Sequence, residues 1–98
     1  MADLEIYDRI STGGTSWVAA TGVPDTPRVM VIAASGDFRV GYSDTEPVNN
    51  WMHIENTAKM PFVLRVDDPS KLWFQTPLGS NLINMMGYPV NTGFIPYC

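Results

Sequence analysis

The sequence predicts an all-β domain, either a small antiparallel β-sandwich or a jelly-roll-like barrel, ending in an extended C-terminal arm. Three observations predict it. Eight Gly and eight Pro break the 98 residues into short segments, and turn signals about every ten residues are the spacing of sandwiches and barrels. The segments between the breaks alternate apolar and polar side chains, the period of a half-buried strand. Apolar residues make up 45% of the chain, with three Trp, four Tyr and four Phe, enough for one modest core and one domain spanning residues 1–98.

The elements follow in order. Leu4, Ile6 and Ile10 are expected on one face of an N-terminal strand, against Glu5, Tyr7 and Arg9. Ser11-Thr-Gly-Gly-Thr-Ser16 has the glycines of a phosphate loop but not the Gly-Lys-Ser/Thr end that such a loop needs, so it reads as a connection. Trp17–Thr21 is a short strand. Arg28–Ala34 is apolar on both faces, as in a central strand, and Asp37–Ser43 alternates with Phe38, Val40 and Tyr42 together. With Gly36 between them to supply a positive φ, residues 28–43 read as a β-hairpin. Val48–Thr57 reads as a loop or short strand. A second hairpin is expected from Phe62–Val66, the Asp67-Asp68-Pro69-Ser70 turn and Lys71–Thr76. Residues 77–80 turn once more, into Asn81–Tyr88. Residues 88–98 carry Pro89, Gly93 and Pro96, which exclude a helix or a central strand.

Charge narrows the function. Ten acidic against six basic residues give a net charge of −4, which argues against a nucleic-acid partner or a polybasic membrane-surface module. The longest apolar run, Val29–Ala34, is far short of a membrane span. The opening residues do not read as a standard signal peptide, and Cys98 is the only cysteine, so synthesis in a reducing compartment is expected. Lys71 is the last charged residue, and from Leu72 to Cys98 there is no Asp, Glu, Lys, Arg or His. Charge depletion marks interface cores. This third of the chain is therefore expected to meet another chain.

Candidate chemistry is sparse. His53 and Cys98 are the sole imidazole and thiol, and a terminal cysteine is poorly placed for a nucleophile–base pair. One His and one Cys do not make a structural zinc site. Asp37, Asp44 and Glu46 lack EF-hand spacing and read as solvated, while Asp67-Asp68 reads as turn chemistry. No catalytic, cofactor or metal residue is assigned, and an enzyme is not expected. Trp17, Trp51 and Trp73 read as core or interface anchors. Trp73, opposite Leu72 and Phe74, is the one expected to face outward.

The order of segments resembles the small β-sandwich structural proteins of tailed-bacteriophage virions. The resemblance rests on Val29-Met-Val-Ile-Ala-Ala-Ser-Gly-Asp-Phe-Arg-Val-Gly-Tyr-Ser-Asp44, on the Pro-led Met60-Pro-Phe-Val-Leu-Arg-Val66, on Lys71-Leu-Trp-Phe-Gln-Thr76 and on Gly79-Ser-Asn-Leu-Ile-Asn-Met-Met-Gly-Tyr88. It covers about residues 28–88 and implies a non-enzymatic structural protein. Such proteins decorate or cement capsids, often as trimers, or sit at the neck and tail. The expectation is a homo-oligomer, a trimer first, bound to the major capsid protein or other virion proteins, assembled in the host cytoplasm and carried in the virion. The alternative is a receptor- or carbohydrate-binding module of a neck, tail or fibre. The residues expected at the subunit or capsid contact are Trp73, Leu78, Tyr88, Val90, Phe94, Ile95 and Tyr97.

Overall fold

A computed structural model describes residues 4–14, 16–55, 60–77 and 79–90. Among the described residues, nine strands build two antiparallel sheets: β1 (Glu5–Ile6), β2 (Ile10–Gly13), β3 (Val18–Ala19), β4 (Arg28–Ala34), β5 (Phe38–Tyr42), β6 (Trp51–Ile54), β7 (Phe62–Val66), β8 (Leu72–Gln75) and β9 (Ser80–Pro89). In the first sheet β1 and β2 both pair with β9, followed by β4 and β7. The second runs β3-β8-β5-β6. One 3-10 turn, Pro69–Lys71, is the only helical element among the described residues, so the expected all-β sandwich is the fold.

The core is the space between the sheets. Met30 and Ile32 of β4 and Ile83 and Met85 of β9 face Phe38 of β5 and Leu72 and Phe74 of β8, all nearly inaccessible to water. The Phe38 and Phe74 rings meet at 5.9 Å and 55°, a tilted arrangement that suits the ring quadrupoles.

Two connections differ from the sequence reading. Residues 28–43 are not a hairpin, because β4 lies in the first sheet and β5 in the second. Ile32 and Ala34 fill the core from one side and Phe38 and Val40 from the other, so the chain must cross between sheets at Ser35–Asp37. Asn81 replaces turn geometry there. Its Oδ1 accepts from the Ser35 and Gly36 backbone amides at 2.8 and 3.2 Å and from the Ser35 hydroxyl at 2.7 Å. Its Nδ2 donates to the carbonyls of Gly36 and Asp37 at 3.0 Å. Gly36 has no positive φ. The second expected hairpin is likewise a crossing, with β7 in the first sheet and β8 in the second. Asp68 caps its 3-10 turn, accepting from the Ser70 amide at 3.1 Å and from the Ser70 hydroxyl. The connection from β8 into β9, read from the sequence only as a turn, changes sheets as well.

The hairpin that does form is β5–β6, from Phe38↔Ile54 to Gly41↔Trp51. Within Val48–Thr57, read from the sequence as a loop or short strand, residues 51–54 form the short strand β6.

The N-terminal strand also departs from expectation. Glu5 and Ile6 pair with Gly87 and Met86, whereas Ile10 pairs with Ile83. Three residues on one strand thus face two on β9, which is a β-bulge. The extra residue inverts the alternation. Ile10 is buried, while Ile6 is 80% exposed.

Candidate functional site

The outer face of the first sheet is the surface that the sandwich's own packing does not account for. A half-solvated antiparallel sheet places polar side chains outward. Here the registers Ile6↔Met86, Met86↔Val31 and Val31↔Val63 line four apolar side chains across the full width of the sheet. Ile6 and Val63 at the ends of the row are 80% and 56% exposed. The neighbouring row is Tyr88, Val29 and Arg65, and Arg65 reaches to Asp67 at 3.1 Å. Asn84 and Ala33 form the next row, beside the exposed Leu82. β4 is apolar on both faces because one face fills the core and the other lies in the middle of this patch.

The outer face of the second sheet is different, because the loop after β5 folds over it. Trp73 and Trp51 flank Gly41 in register. A Cβ at Gly41 would stand 2.5 Å from Pro47 Cγ. Only glycine therefore lets the buried Pro47 settle there. The Trp73 indole N–H donates to the Ser43 carbonyl at 3.0 Å. Arg39 stacks on Trp51 with 4.2 Å from guanidinium carbon to ring centroid, and donates to Gln75 Oε1 at 2.9 Å. Trp73 points away from the core as the sequence suggests, but it is half-buried and bonded to its own loop.

Between the sheets, a cleft of about 330 Å³ opens beside the edge strands β6 and β7. Met52, Phe62, Leu64 and Leu72 line it, with Trp51 and Asn50 at one side. Among the described residues that line it, none is charged. On the second sheet, Asp37, His53 and Glu55 converge at the end of the β5–β6 hairpin farthest from its loop.

The other expected contact residues divide. Tyr88 is exposed on the apolar face. Val90 is half-buried, and its amide donates to the Pro27 carbonyl at 3.1 Å. Leu78, Phe94, Ile95 and Tyr97 lie outside the described residues, as does Cys98. Part of the charge-free run has a structural cause: β8 and β9 are interior strands of their sheets, with one face in the core. Its buried neutral polar residues are also engaged. Asn81 holds the 35–37 crossing, and the Thr12 and Thr76 hydroxyls bond at 2.7 Å. Among the described residues of the run, what β9 leaves for contact is its outward half: Leu82, Asn84, Met86 and Tyr88.

Apart from Arg65 and its partner Asp67, the ion pairs described here lie away from that face. The Tyr7 hydroxyl and Arg28 Nε donate to Glu5 Oε1 at 2.6 and 2.9 Å. These bonds, Tyr7 first and Arg28 second, hold the Glu5 carboxyl below its ordinary value. Burial, with the bond to Glu5 second, pushes the Tyr7 phenol up. Lys71 reaches Asp44 at 3.1 Å. Ile6, Met86 and Val63 escaped sequence reasoning as one group, because only the bulge and the register bring them into line. The apolar character of both faces of β4 was the visible signal.

Comparison with protein-family models, with curated proteins and with solved structures gave no match.

Proposed function

We propose that this chain is a structural assembly protein that works by docking, of the kind that decorates and stabilises the head of a tailed phage. The observation that carries the reading is the Ile6–Met86–Val31–Val63 row on the outer face of the first sheet. Exposed apolar patches of this continuity mark surfaces that another protein covers. The face is nearly free of charge, so copies of a chain carrying −4 meet there with the least repulsion. The proposed assembly is a homo-oligomer, a trimer first, with this face and the C-terminal arm at subunit or capsid contacts. A second reading, a binding module of a neck, tail or fibre, draws on the uncharged cleft beside Trp51.

The test is native mass. The wild-type chain is expected to sediment as an oligomer, and the double variant Ile6→Glu/Val63→Glu as a monomer with an unchanged β circular dichroism spectrum. Both positions are exposed, so the substitutions leave the core intact. A wild-type chain that stays monomeric and fails to attach to phage heads would remove the assembly reading, and a sugar or receptor ligand that perturbs Trp51 fluorescence would favour the second.

A further inference from the structure

We propose that Asp37, His53 and Glu55 form a zinc site that ties together the end of the β5–β6 hairpin. The placement comes from strand register. Phe38 pairs with Ile54 and Arg39 with His53, so Asp37 and Glu55 face each other one step beyond the last pair. Side chains alternate along a strand, so 53 and 55 share a face with 37. All three side chains are exposed, and their ligand atoms lie within 4.8 Å of one another.

The imidazole is the apex of the group. Its Nε2 stands 3.8 Å from Asp37 Oδ2 and 3.8 Å from Glu55 Oε1. Those separations are too long for hydrogen bonds. They are close to the separation of two ligands on one ion, since Zn–N and Zn–O bonds of about 2.1 Å set tetrahedral neighbours about 3.4 Å apart. Small side-chain rotations close the difference. One neutral imidazole and two carboxylates offset the charge of a divalent ion and leave a fourth position for water or for a ligand from a neighbouring chain. The mixed nitrogen and oxygen set suits zinc rather than calcium, which takes six or more oxygens.

Arg39 pairs in register with His53 and shares its face of the sheet. Its guanidinium stacks on Trp51 and bonds to Gln75 Oε1 at 2.9 Å. The consequence of metal binding is local. Among the described residues, β6 is a four-residue edge strand paired with β5 alone. An ion bridging Asp37 to His53 and Glu55 adds a link across that pair, and the binding free energy becomes stability of the hairpin. Ligands at 37, 53 and 55 belong to no short motif, so the site is invisible until the strands pair.

The experiment is calorimetric titration of zinc chloride into the tag-free full-length chain carrying Cys98→Ser, which removes the competing thiol. Saturable one-to-one binding is expected, with slower amide exchange across residues 51–55 in the loaded protein. His53→Ala should abolish binding, and Asp37→Asn and Glu55→Gln should each weaken it more than about tenfold. Asp44→Asn, a carboxylate paired with Lys71, should leave it unchanged. Cobalt substituted for zinc should show the visible absorption of a low-coordinate ion. No binding by the parent chain, or equal binding after His53→Ala with the fold intact by circular dichroism, overturns the site.

Discussion

Asn81 shows how one side chain can take over the work of a turn. A strand-to-strand crossing inside a sandwich leaves backbone polar groups near the core, and each must find a partner. The carboxamide has one acceptor oxygen and two donor hydrogens, and its five bonds to Ser35, Gly36 and Asp37 use both ends. No apolar residue or hydroxyl offers that set. Each bond contributes about 1 kcal/mol net, and orphaned partners add to the loss. Asn81→Ala is therefore expected to cost about 2–4 kcal/mol. In a domain of this size that lowers the melting temperature by more than about 8 °C. Asn81→Asp keeps the acceptor and loses the donors, so its loss should be smaller. A thermal melt of Asn81→Ala within a degree of wild type would mean that water replaces the carboxamide at the crossing.

At the scale of elements, strands were legible and connections were not. The alternation of Asp37–Ser43, Phe62–Val66 and Lys71–Thr76 assigns the buried face of β5, β7 and β8, because alternation records only which side of a strand is wet. Whether the next strand lies in the same sheet or the facing one leaves the same pattern, so both expected hairpins are crossings. The bulge between Ile6 and Ile10 was hidden for a related reason: it is defined by the partner strand, and β9 is more than seventy residues away in sequence. The candidate face was half legible, through β4, and needed the pairings to become one surface. The short β1 has its own anchor in Glu5, and that anchor titrates. Because the bonds from Tyr7 and Arg28 depress the folded carboxyl, the unfolded chain binds more protons as the pH falls. The stabilisation is complete above the ordinary value of 4.5 and is lost as the pH drops through the lower folded value. Wild type is thus expected to exceed Glu5→Gln in stability at neutral pH and to converge with it in acid, read from denaturant melts across pH. A gap that persists unchanged into strong acid would assign the effect to packing instead.

For the whole molecule, the distribution of charge and apolar surface argues for one mode of association. Acidic residues outnumber basic ones by ten to six, so two copies repel at neutral pH unless the contact excludes charge. The outer face of the first sheet offers that: its rows are Ile6, Met86, Val31 and Val63, then Tyr88 and Val29, with Arg65 at one end already bonded to Asp67. An interface built on apolar burial and one built on complementary ion pairs respond oppositely to salt. Screening, effective over about 10 Å at 0.1 M ionic strength, removes the mutual repulsion of the −4 chains. Sulfate further strengthens apolar burial by its exclusion from protein surface. Ion pairs across an interface are weakened by the same screening. Self-association of this chain is therefore expected to tighten as sodium chloride is raised and to tighten further in sodium sulfate, measured by sedimentation equilibrium. The Val63→Glu variant, with one charge at the β7 end of the apolar row, should associate more weakly at every salt concentration. An oligomer that falls apart as salt rises would place the contact on the charged loops around Asp44 and Lys71 rather than on the sheet.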